Sequence, residues 1–138
     1  SVLLCGSPEL IAKHGMPTRP QDLARLPCII DTNGRWMTNW PFKGDNGDAV
    51  SVSVSGPLEV NSPMAARAAA VSGLGFSILP DFIAAPDIAA GRLLTALDDR
   101  ILSGGGIFAV YPHRRYLPAK VRVFVDYLVQ WFRTREAA

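Results

Sequence analysis

A catalytic nucleophile needs a base within reach, so the scarce histidines are the first residues to weigh. The chain has two, His14 and His113, and neither sits in a recognisable catalytic motif. His14 falls in the last turn of a helical stretch just before Gly15, where a partial positive charge suits the helix dipole. His113 follows Pro112 in a basic loop. Metal binding asks for Cys and His at short, regular spacings, and Cys5, His14, Cys28 and His113 have none. Asp45-Asn46-Gly47-Asp48 lacks the continuation of a calcium loop, including its distal Glu. That segment and Asp98-Asp99 read as solvated turns. Gly73-Leu74-Gly75 closes a helix and opens a strand, the reverse of a phosphate loop, and reads as a helix C-cap. The expectation is no catalytic residue, no metal and no cofactor.

What remains is binding. Polar groups at strand ends, facing a cleft, are the usual contacts of a small ligand in an α/β fold. Two loops fit. Asp31-Thr32-Asn33 follows a buried apolar strand, which makes Thr32 and Asn33 candidates. Asn61-Ser62-Pro63 opens an Ala-rich helix whose N-terminal amides can hold a carboxylate. Two readings stand for the second loop. Ser62 is either a plain cap and Asn61 a turn residue, or both join Pro63 in a ligand site. Both loops are expected on one edge of the sheet.

The elements that position them follow from local patterns. Residues 2–5 form an apolar strand. Ser7-Pro8-Glu9 starts a helix that stops at Gly15. Thr18 and Gln21 have capping-box spacing, which predicts a short helix over residues 21–25. Residues 28–30 form a buried strand. Trp40 and Phe42 predict a strand that pairs as a hairpin with Val50, Val52 and Val54, which alternate with Ser51, Ser53 and Ser55. Residues 57–60 form another strand. Ser62 and Pro63 start an Ala-rich helix through Ser72. Residues 76–79 form a strand. Pro80-Asp81 and Pro86-Asp87 each start a short helix, and residues 93–97 and 107–111 form the last strands. Alternation of strands with short helices makes the class α/β with a mixed sheet.

The final helix is expected over residues 118–135. Arg122, Asp126, Gln130 and Arg133 form one narrow polar stripe, and large apolar residues fill the rest. Each such side chain left in water forgoes roughly 1.5–3 kcal/mol, so this helix needs to bury two sides. Val121, Phe124, Val125, Leu128, Trp131 and Phe132 are the interface candidates, toward a second copy or another part of the protein.

Composition narrows the class further. The chain has 138 residues, 49% of them hydrophobic and 19% charged, enough for one folded domain with a core. No apolar run approaches the roughly 20 residues of a membrane span, and no export leader is visible. Cys5 and Cys28 lie in apolar runs and read as buried free thiols, with a disulfide or metal pair as the alternative. A cytoplasmic location is expected. The net charge of +2 implies no phosphate-binding surface by itself. The late basic cluster His113, Arg114, Arg115, Lys120, Arg122, Arg133 and Arg135 reads as a solvated or interface surface rather than a nucleic-acid patch, since stacking aromatics are sparse. The chain has no initiator Met and opens inside a strand, so a piece of a longer protein is expected.

The order of segments resembles the C-terminal part of LysR-type transcriptional regulators. The matching pieces begin with Leu4-Cys5-Gly6-Ser7-Pro8-Glu9-Leu10, His14-Gly15-Met16-Pro17 and Pro20-Gln21-Asp22-Leu23. They continue through Val60-Asn61-Ser62, the run from Ala68 to Pro80 and Gly91-Arg92-Leu93-Leu94. The last are Val110-Tyr111-Pro112-His113-Arg114-Arg115 and the run from Lys120 to Leu128. The resemblance implies a two-lobed, periplasmic-binding-protein-like (type 2) sensor. Residues 1–5 would then be a crossing strand from the first lobe, and residues 6–106 the second regulatory lobe. Residues 107–138 would be the other crossing strand and a C-terminal helix of the first lobe, packed at a dimer interface. Cys5, Gly6, Val110 and Tyr111 become hinge positions. A small-molecule effector, a carboxylate among the options, would bind between lobes. DNA would be met only through an N-terminal helix-turn-helix that is not in this chain. A fragment of an extracytoplasmic solute-binding protein is the runner-up, and a small hydrolase or transferase comes third.

Overall fold

The computed structural model describes residues 1–102, and Val2–Leu102 forms one compact unit. The strand expected at 107–111 and the expected final helix, with Val110, Tyr111, Val121, Phe124, Val125, Leu128, Trp131 and Phe132, lie outside the described residues.

The chain begins with β1 (Val2–Gly6) and α1 (Pro8–His14). Ser7 caps α1 by accepting the Leu10 amide at 3.1 Å, and Gly15 ends it at φ 90°. A 3-10 helix, Pro20–Arg25, leads into β2 (Pro27–Asp31). Then come β3 (Asn39–Lys43), β4 (Ala49–Ser53) and β5 (Ser55–Val60). The Ala-rich helix α2 (Pro63–Val71), β6 (Ser77–Pro80), α3 (Asp81–Ala89) and β7 (Leu94–Ala96) complete the unit.

The sheet is mixed, as the alternating pattern predicts. β1 lies between β6 and β7, antiparallel to both, while β2 and β5 pair in parallel. A parallel bridge between Cys28 and Phe76 joins the two pieces, with Ile29 donating to the Phe76 carbonyl at 2.8 Å. The strands therefore follow the order β5, β2, β6, β1, β7. Each face carries its own core. Cys5, Ile29 and Leu79 pack under α2 and α3 with Ala66, Ala70 and Ala84. Small residues let these helices sit close to the strands. On the other face Leu4, Cys28, Ile30 and Phe76 meet Leu10 of α1, Leu23 and the hairpin residues Trp40, Phe42 and Val52. Cys5 and Cys28 are thus buried free thiols on opposite faces, and burial pushes both thiols up to about 12.

Three expectations need correction. The short helix after Thr18 is capped through Asp22, not Gln21. The Asp22 carboxylate accepts the Thr18 and Arg19 amides at 3.0 and 3.1 Å, because a carboxylate at this position reaches two free donors. The two helices expected at Pro80 and Pro86 are one helix with Pro86 inside it. Pro86 forfeits a single helical hydrogen bond, and the next residue holds the turn in place. That residue, Asp87, is fully buried and binds Arg67 of α2 through two hydrogen bonds and Arg92 at 2.6 Å. Finally, Asp45 is exposed but not merely solvated, since it pairs with Arg19 at 3.3 Å and Arg100 at 2.8 Å.

Gly56 stands against the bulged strand β2. A Cβ there would lie 1.7 Å from the Cys28 carbonyl oxygen, so the strands could not keep their spacing. Gly56→Ala is expected to cost about 3 kcal/mol, read from the urea midpoint. An unchanged midpoint would refute the contact.

The Arg67 hydrogen bonds hold the Asp87 carboxyl below the usual carboxylate range, against the opposing effect of burial. Its stabilisation is therefore complete above roughly pH 4, where an unfolded aspartate ionises, and fades as pH falls through the lower folded value. Asp87→Asn should lower Tm most near pH 6 and progressively less toward pH 3. A deficit independent of pH would contradict the ion pair.

Candidate functional site

Parallel strands end on the same edge, and here the register closes with Asp31 opposite Val60. The two polar loops consequently emerge side by side. Thr32 donates its amide to the Val60 carbonyl at 2.8 Å and its hydroxyl to the same oxygen at 3.0 Å. The Asn33 side-chain amide donates to the Asn61 carbonyl. The first loop is stiffened from within, because the Asn33 and Gly34 amides both donate to Asp31, at 2.9 Å each. Thr32, Asn33 and Asn61 are exposed, and Ser62 and Pro63 are partly buried. The side chain of Asn61 has no hydrogen-bond partner among the described residues.

The first turn of α2 offers less than its sequence suggests. Ser62 Oγ accepts the Ala65 amide at 3.1 Å, which is the plain cap reading. Pro63 has no N–H, and the Ala66 amide is spent on the Ser62 carbonyl at 3.0 Å. Met64 keeps the one free amide of that turn among the described residues. Donation to a ligand therefore falls mainly to side chains, the Ser62 hydroxyl and the two asparagine amides, while the Thr32 hydroxyl, already donated to Val60, is left to accept.

A third loop shares this edge and was not singled out from sequence. β6 runs parallel to β2 at the Cys28–Phe76 bridge, so Pro80, Asp81 and Phe82 emerge beside the other two loops. Phe82 is 50% exposed and Met64 56%, so large apolar side chains accompany the polar groups. The signal was present in Pro80-Asp81 as a helix start, but strand direction was needed to place it. The expected hinge positions lie toward the other end of the sheet. Cys5 pairs with Ser77 and Thr95, and Gly6 pairs with Leu94 and closely approaches the Phe76 ring.

His14 opens on a solvent groove of about 470 Å³ at the end of α1. Its lining includes Lys13, Met16, Asp22 and Arg25 but no Ser, Thr or Cys.

The chain matches the family model of the LysR substrate binding domain over residues 1–133. It is 37% identical over 116 residues to the HTH-type transcriptional regulator PtxR of Pseudomonas aeruginosa, covering 83% of this chain and 37% of that protein. It is 33% identical over 134 residues to the HTH-type transcriptional activator TtdR of Escherichia coli, covering 96% of this chain and 43% of that one. Among solved structures, the CrgA regulatory domain of Neisseria meningitidis superposes with a TM-score of 0.64 at 26% identity. That match covers 94% of this chain and 63% of the other. The regulatory domain of AphB in Vibrio vulnificus gives a TM-score of 0.64 at 28% identity, over 94% and 64%. The chain thus spans 37–43% of the length of these curated relatives. With the mixed sheet and its paired polar loops, these matches make the chain a member of the LysR substrate-binding domain family, with the type 2 periplasmic-binding-like fold.

Proposed function

We propose that these 138 residues are an effector-sensing part of a LysR-type DNA-binding transcriptional regulator. The relatives are named as HTH-type regulators, which supports a regulator over a solute-binding protein and over an enzyme. DNA contact belongs to a segment outside this chain, and the working form is a homodimer or higher oligomer in the cytoplasm. No helix among the described residues is long and apolar enough to cross a membrane.

One observation carries the proposed binding site: Asn33 and Asn61 come from separate loops and meet through a hydrogen bond at the end of a parallel strand pair. A ligand held there touches two segments at once. Thr32, Asn33, Asn61, Ser62 and Pro63 are its proposed contacts, and a small molecule with acceptor oxygens, a carboxylate being the simplest, suits their donors. In this reading residues 1–5 and 107–111 cross to a first lobe. Cys5, Gly6, Val110 and Tyr111 form its hinge, residues 6–106 form the second lobe, and Val121, Phe124, Val125, Leu128, Trp131 and Phe132 pack at the dimer interface.

The test is a thermal-shift screen of small carboxylates on the complete gene product that contains this chain. Against a ligand that raises Tm, Asn61→Ala should weaken binding about tenfold, the worth of one hydrogen bond to a charged acceptor, and Thr32→Ala should weaken it less, by loosening the loop that Thr32 ties to Val60. Equal shifts in parent and variants would remove this edge as the site.

A further inference from the structure

Two large apolar side chains stand at the proposed binding edge without belonging to either core. Met64 is the second residue of α2 and Phe82 the second residue of α3. Both helices start at the edge where β5 and β6 end. The Cα–Cβ bonds of a helix tilt toward its N-terminus, so a residue in the first turn covers ground before the helix begins. Met64 and Phe82 therefore lean toward the loops that carry Thr32, Asn33, Asn61 and Ser62. They are absent from the two cores and stay 56% and 50% exposed. Single exposed apolar residues are ordinary on a protein surface. Here two occupy the same helical position on the same edge, and that edge also gathers the polar side chains.

The same edge is poor in free positive charge. Residues 31–33, 61–64 and 80–82 include Asp31 and Asp81 but no Lys, Arg or His. Arg67, one turn along α2 from Met64, is committed to Asp87, and Arg35, two residues beyond Asn33, is likewise engaged. Hydrogen bonds from Asn33, Asn61 and Ser62 suffice for one carboxylate. A second carboxylate against Met64 or Phe82 would lose its water and find no free cation among the described residues. An alkyl or aryl group there instead removes apolar surface from water on both partners. On the reading of this edge as the effector site, we propose that the ligand is a monocarboxylate with an apolar body. Asn33, Asn61 and Ser62 hold the carboxylate, and Met64 and Phe82 hold the body and set the choice against short dicarboxylates. A phenyl group suits best, because a thioether and an aromatic ring both make favourable contacts with it.

The test is titration calorimetry on the complete gene product that contains this chain. Phenylacetate, 3-phenylpropanoate and hexanoate are compared with succinate and glutarate. The apolar monocarboxylates should bind about tenfold more tightly than the dicarboxylates. Met64→Ser and Phe82→Ser should each weaken them on the order of fivefold, as part of an apolar contact returns to water, while Met64→Leu keeps the parent affinity. Met64 is exposed, so the unligated Tm of Met64→Ser should match the parent, which separates a lost contact from a lost fold. Dicarboxylates that bind as tightly as the phenyl acids, an unchanged affinity in Met64→Ser, or no binding by any of the three apolar acids overturns the proposal. Asn61→Ala scores the edge itself. Weakened binding of whichever acid binds keeps the edge as the site even where the apolar contacts fail, and unchanged binding removes both.

Discussion

The parallel pairing of β2 with β5 is the constraint on which the candidate site depends. Two parallel strands in register must deliver their following loops to the same place. Asp31 opposite Val60 puts Thr32 within reach of the Val60 carbonyl and Asn33 within reach of Asn61. The pairing is possible because Gly56 has no side chain where the bulge in β2 pushes the Cys28 carbonyl outward. A glycine in the middle of a strand thus governs polar groups at its far end.

Two cores hold that pairing between them. Helices α2 and α3 cover one face through alanines, and the hairpin, α1 and the 3-10 helix cover the other through aromatic and branched residues. Asp87 fastens the helical layer, since its carboxylate joins α2 to α3 and to the turn before β7. Truncating one member of such a cluster strands the others, which is why a buried charge at this place serves as a clasp rather than a liability. Because α2 begins at Ser62, anything that fixes α2 also fixes the second loop.

Local chemistry made most of the elements legible in the sequence. Ser7-Pro8 and Ser62-Pro63 announced both long-capped helices, and the Val/Ser alternation announced β4. The juxtaposition of the two loops was readable because α/β order implies parallel strands with a shared edge. Long-range partnerships were not readable. Nothing near Asp87 marks it as buried, since its partners Arg67 and Arg92 are 20 and 5 residues away. Pro86 reads as a helix start when only its neighbours are considered. Local detail narrows the anion-cradle reading of α2: Pro63 has no N–H and the Ser62 cap takes the Ala65 and Ala66 amides, which leaves Met64 the one free amide of that turn among the described residues.

The central claim is that a small molecule is held where β2 and β5 end. Chemical-shift mapping of the isotopically labelled protein during titration with a thermally stabilising carboxylate tests it most directly. The account predicts the largest shifts at the Thr32, Asn33, Asn61 and Met64 amides, with Phe82 next. Shifts confined to the groove at the end of α1, around Lys13, His14 and Arg25, with those five amides unmoved, would contradict it.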